Sequence, residues 1–217
     1  MTGPAFDNSS EGAAVSASTS DWVVASVVFA ASLALLLATM GIGIPRDESF
    51  YFHAADVYIG WFEELWRNVR AGRLAESFTK ASVDEHLSYN REHPALMKVA
   101  FALSERLWHD ALGWLDRVTA LRLPGAAAGA ATVALTFVFA RQLFGTVAGL
   151  AAAGALLFQP RFFFHAHLAC FDVPITGAWL GTVYAYWRSH DSRGWAAATG
   201  ALFGLGLCTK LNALFLP

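Results

Sequence analysis

Apolar residues run without a charge from Trp22 to Ile44, 23 positions in all. That exceeds the ~20 residues that carry an α-helix across a hydrocarbon core. Residues 46–122 break the pattern. Within them, Phe50, Ala54, Val57, Tyr58, Trp61, Phe62, Leu65 and Val69 fall at helical spacing, with Asp56, Glu63, Arg67 and Arg70 on the other positions. This predicts an amphipathic helix. A second stripe, Leu96, Val99, Leu103, Leu107 and Leu112, follows Pro94, a residue suited to a first helical turn. Both stripes suit helices lying on a bilayer surface, with a small self-packed subdomain as the alternative. Beyond Leu123 the chain turns apolar again. Arg141, Pro160–Arg161 and the polar turn Arg188–Arg193 divide it into spans at about 123–141, 146–163, 173–188 and 195–216. The expected fold is therefore all-α: about five membrane spans, the first at 22–44, with one large loop, 46–122, carrying amphipathic surface helices.

Composition sharpens this picture. The 217 residues are 56% hydrophobic and 15% charged, with a mean hydropathy of +0.43 and a net charge of −2. Such a balance excludes a basic nucleic-acid binder and a disordered chain. Of the 32 charged residues, 22 lie between Arg46 and Arg122. Residues 1–21, small and polar without Lys or Arg, read as a disordered tail rather than a signal peptide. Cys170 and Cys208 stand in apolar surroundings and read as packing residues.

Parity then orders the charges. If each span crosses once, 46–122 and 161–172 share one face, while the tail, Arg141 and the 188–194 turn share the other. Arg141, Arg188 and Arg193 favour a cytoplasmic side for their turns, although Arg161 counts against it. The charged loop is thus expected outside. On that face stand Asp47-Glu48, an acidic pair just after the first span, able to act as base or metal ligand or simply to end a helix in water. Asp172 is the one charge between Arg161 and Arg188, and such isolated acids in apolar sequence imply a partner or a function. Arg161, His165 and His167 are candidate partners. Lys210 is alone in the last apolar stretch, where it either snorkels or meets an anion. Arg122, at the entry to the second span, is placed for a headgroup phosphate. His93-Pro94 and Lys98 could hold a phosphate or metal, or cap a helix.

The order of these pieces resembles the membrane glycosyltransferases that use polyprenyl-phosphate sugars, of the protein O-mannosyltransferase and lipid A aminoarabinose transferase type (glycosyltransferase family 39, the GT-C fold). The matching residues are Asp47-Glu48, HPALMK at 93–98, RLPGAAAG at 122–129, RQLFG at 141–145, PRFFFHAHLACFDVP at 160–174 and GLCTKLNALFLP at 206–217. HPALMK differs from the family's His-Pro-Pro-Leu-x-Lys in carrying Ala95 for the second Pro. The resemblance covers 22–217 and implies an inverting transfer on the extracytoplasmic side of the membrane. The donor would be a sugar on polyprenyl or dolichyl phosphate, and the acceptor a hydroxyl of a protein, lipid or glycan. It implies Asp47 as the base, with Glu48 and Asp172 orienting the acceptor or binding a cation. Lys98, Arg122 and Lys210 would balance the phosphate, and His93 would shape the loop or ligate a metal; His93, Arg161 and His167 are also candidate substrate contacts. No cofactor is required, though a divalent cation fits. Since family members carry more spans, 22–217 is expected to be the amino-terminal, catalytic part of a larger transferase, truncated at its carboxyl end. Three alternatives stay open: a transporter subunit with Asp172 and Lys210 on its path, a non-catalytic assembly protein, or an inactive fragment of the transferase.

Overall fold

The computed structural model of the protein describes residues 18–190 and 192–216, and among these every regular element is helical. Residues 1–17 of the expected tail lie outside the described residues. Its last residues do not stay irregular: α1 (Thr19–Ala38) starts within it. Ser18 caps the helix by accepting from the Asp21 backbone N–H, while the Asp21 carboxylate accepts from the Ser18 N–H at 2.8 Å. This reciprocal capping box satisfies two backbone donors that a helix start leaves open. Asp21 is also buried against Arg141.

After α1 the chain runs as Met40-Gly-Ile-Gly-Ile-Pro45, where two glycines and a proline disfavour helix, and α2 (Arg46–Arg70) begins behind Pro45. Asp47 and Glu48 occupy its first turn, where carboxylates complement the helix dipole. Helix α2 packs on α3 (Lys80–Leu87) and on α4 (Leu96–Glu105), burying Ala54 and Tyr58 of the predicted stripe, while Phe50 and Val69 at its ends stay exposed. The charged stretch is thus a compact layer of helices, with Ala55, Met97, Phe101, Ala102, Leu121, Ala169 and Phe171 as its core.

The 28-residue α5 (Arg117–Phe144) is the central post, touching α1, α4, α6 and α8. Pro124 lies inside it and removes the N–H that would bond to Ala120 O. The Ser104 hydroxyl donates to that carbonyl at 2.6 Å, so the buried acceptor keeps a partner. Gly145, at φ 88°, turns the chain into α6 (Thr146–Leu157). Glycine also sets the approach of α5 to the segment 167–171: a Cβ on Gly125 would stand 2.5 Å from Leu168 O. Gly125→Ala is expected to cost about 1–3 kcal/mol by overpacking against rigid backbone, read as a lowered thermal unfolding midpoint in detergent.

Three features differ from the sequence expectations. The span expected over 146–163 is two helices, α6 and α7 (Pro160–Ala166), bent by 68° where Gln159 caps α7 and Pro160 opens it. The last expected span, 195–216, ends early: α9 (Arg193–Thr209) stops at Lys210, whose backbone is extended, and a 3₁₀ turn follows at Leu211–Phe215. By length and composition, α1 and α5 can each cross a membrane, and α6–α7 makes a third crossing if the bent pair is one span. The helices α8 (Asp172–Arg188) and α9 have 17 residues each, at the short edge of the ~17–25 that span a bilayer, so two or three of the five expected crossings are found by length and composition.

Candidate active site

At the end of the bundle where α1 gives way to α2, three chain segments meet: the α1–α2 linker, the start of α5, and residues 167–172 between α7 and α8. A buried ion pair joins them. Arg122 (1% exposed) donates Nε and Nη2 to the two oxygens of Glu48 (2% exposed) at 2.8 and 2.6 Å. Its remaining N–H groups go to the carbonyls of Met40, Ile42 and Gly43 at 2.9–3.1 Å. All five guanidinium donors are used. Glu48 Oε1 also accepts from Ala169 N at 2.8 Å. The expectation that Arg122 meets a phosphate is therefore corrected: it has no donor left, and the pair fastens the site together.

Lys98 and His167 also turn inward. Lys98 is fully buried, with Nζ donating to Tyr58 Oη at 3.1 Å, His93 O at 2.8 Å and Asn90 O. Burial pulls its pKa down to about 8, which leaves it charged at neutral pH. Within HPALMK, then, the lysine ties down its own loop rather than facing solvent. His167 is 1% exposed, its ring nitrogens 2.8 Å from Thr39 Oγ1 and 2.7 Å from Phe163 O, so neither is left for a substrate.

The residues that do face open space are others. Asp47, next to the anchored Glu48, is exposed. Asp172, the first residue of α8, is half-exposed. Lys210 Nζ donates to its Oδ1 at 2.7 Å, and His165 Nδ1 lies 3.4 Å from its Oδ2. The break in α9 at Lys210 is what lets this side chain reach α8. Asp172, His165 and Arg161 line a cleft of about 510 Å³ that Gln159, Phe162 and Thr176 complete. His93 stacks on Phe171 at 5.0 Å between ring centroids, and burial with the nearby Lys210 charge lowers its pKa.

Tyr51 is absent from the sequence candidates, and Cys170 stands among them only as a packing residue. Tyr51 packs edge-on against Phe171 at 4.6 Å, and burial, then the charges of Asp47 and Asp172, push its pKa up to about 12. It thus stays a neutral hydrogen-bond donor in the field of both carboxylates. Its position four residues after Asp47, on the same helix face, is the signal that could have found it. Cys170, read as packing, is indeed buried, yet its sulfur lies 3.9 Å from His165 Nδ1.

A family model described as dolichyl-phosphate-mannose-protein mannosyltransferase matches residues 94–217, from the Pro of HPALMK through Asp172 and Lys210. Asp47 and Glu48 precede the matched region. No curated protein and no solved structure matches the chain.

Proposed function

The chain belongs to the dolichyl-phosphate-mannose-protein mannosyltransferase family, membrane glycosyltransferases that draw on a dolichyl-phosphate sugar, and from that premise we propose that the end of the bundle bearing Asp47 and Asp172 is its transfer site. Asp47 removes the proton of an acceptor hydroxyl, whose oxygen attacks the anomeric carbon. The bond from that carbon to the phosphate oxygen breaks on the opposite face, and the sugar is transferred with inversion. Dolichyl phosphate leaves with one more negative charge than it carried as the diester. Lys210 and Arg161 balance that charge, and electrostatic help of this kind counts most where water is scarce. Tyr51 donates a hydrogen bond to the acceptor, and Asp172 holds Lys210 in place. Glu48, Arg122, Lys98 and His167 carry the frame rather than the chemistry.

The observation that carries this reading is the convergence of Asp47 and Tyr51 from α2, Asp172 from α8 and Lys210 from the end of α9 onto one end of the bundle. An apolar groove of about 580 Å³ also supports it. The groove is walled by Met97, Pro124, Leu135, Gly181 and Leu205, and reaches Trp22 and Trp195 at the opposite end of the helices. Its lining, without a charged residue, suits an isoprenoid chain. The test is transfer by the chain in lipid vesicles from dolichyl-phosphate mannose to a serine- and threonine-rich peptide. Mannosylated peptide with inverted anomeric configuration is expected, and retention of configuration would overturn the single displacement.

A further inference from the structure

We propose that His165, Cys170 and Asp172 form a zinc site at the base of the cleft, with its fourth coordination position open to the cleft. One imidazole nitrogen, one thiol and one carboxylate oxygen converge here, all within 4.8 Å of one another. The His165 Nδ1 to Asp172 Oδ2 separation is 3.4 Å and the His165 Nδ1 to Cys170 Sγ separation is 3.9 Å. Tetrahedral zinc with ordinary bond lengths to nitrogen, oxygen and sulfur puts its ligand atoms about 3.3–3.8 Å apart. The three atoms therefore need to shift by only tenths of an ångström along these two edges to close on one ion.

The ligand types decide which metal. A thiolate beside an imidazole selects against magnesium and calcium, which take oxygen, and favours zinc among the common divalent ions. Three protein ligands with a fourth position free is the arrangement of reactive rather than purely structural zinc. Second contacts are already present. Lys210 holds Asp172 Oδ1, which leaves Oδ2 for the metal, and the bend at Pro160 together with the start of α8 fixes the spacing of His165 and Asp172.

Charge points to what the open position takes. Zinc with one thiolate and one carboxylate is neutral, so Lys210, and Arg161 on the cleft wall, leave the cleft positive. An anionic oxygen of phosphate type fits there as the fourth ligand, with the metal withdrawing charge from it. This inference goes beyond the transferase reading and shares only Asp172, Lys210 and Arg161 with it.

Cobalt(II) titrated into the metal-stripped, purified full chain in detergent is the test, because its spectrum reports ligands without any need for activity. The expected result is one cobalt per chain, visible bands of tetrahedral intensity and a thiolate-to-cobalt charge-transfer band, all removed by stoichiometric zinc. Cys170→Ser abolishes the charge-transfer band and His165→Ala weakens binding at least tenfold, while Cys208→Ser leaves the spectrum unchanged. Circular dichroism of each variant establishes that its helices are intact. Absence of the charge-transfer band in the wild-type chain, or its survival in Cys170→Ser, overturns the proposal, whether or not the chain transfers sugar.

Discussion

Asp47→Asn slows sugar transfer by about 10²–10⁴-fold, the range set by removing a positioned general base, while the chain folds and holds its donor as before. The substitution keeps the shape of the side chain and deletes only its capacity to take a proton. Structural damage is not expected, because Asp47 is exposed and the turn that carries it is fastened by its neighbour: Glu48, not Asp47, makes the buried bonds to Arg122 and Ala169. The measurement is single-turnover consumption of dolichyl-phosphate mannose in vesicles, with helical content and thermal unfolding followed in parallel. An unchanged turnover rate in Asp47→Asn refutes the base assignment. A loss of rate accompanied by a loss of fold would shift the residue from chemistry to scaffold.

The second large effect falls on stability. Arg122→Leu leaves Glu48 buried without its counter-charge and strips Met40, Ile42 and Gly43 of their donor. Removing one member of a buried pair costs about 3–5 kcal/mol, enough to unfold a chain of ordinary stability. Arg122→Lys recovers little, since an ammonium cannot form the two-pronged contact to a carboxylate. The double variant Glu48→Met with Arg122→Met recovers part of the loss by removing both charges together. Denaturant unfolding in detergent separates this from a substrate-binding role. A phosphate ligand replaced by Leu would raise KM and leave stability alone, and that outcome would return Arg122 to the site.

Asp47, Glu48 and Arg122 show where sequence reading succeeds and where it stops. The charge-free run at 22–44, the stripe of 50–69 and the Pro94-led stripe from Leu96 are local patterns, and α1, α2 and α4 form over them, although α4 ends at Glu105 and buries Met97, Phe101 and Ala102 while Leu103 and Leu107 of the stripe stay exposed. The resemblance, too, was carried by short motifs, and the family match over 94–217 bears it out. Which face a charge turns to is not local. Arg122 reads along the chain as a free cation, yet its partner Glu48 is 74 residues away, and Lys98 turns inward onto Tyr58, 40 residues away, as well as onto the nearby carbonyls of Asn90 and His93. Cys170 was dismissed because the sequence around it is apolar, and only the turn between α7 and α8 brings it beside His165. The break at Lys210 is equally hidden, since no Gly or Pro follows it before Pro217 to mark where the helix stops.

Arg122 and Arg141 also make α5 a ruler. On one continuous helix the 19 residue steps from one to the other rise about 28 Å, close to the ~30 Å depth of a bilayer's hydrocarbon. Each end carries a buried clasp onto the chain of α1: Asp21 at one, the carbonyls of residues 40–43 at the other. The two long helices are thereby locked in register and cannot slide to suit a thinner or thicker membrane. Mismatch must be absorbed by the lipid or by tilting the pair as one body. The depth at which Asp47 and Asp172 stand is thus set by the protein and imposed on the bilayer around it.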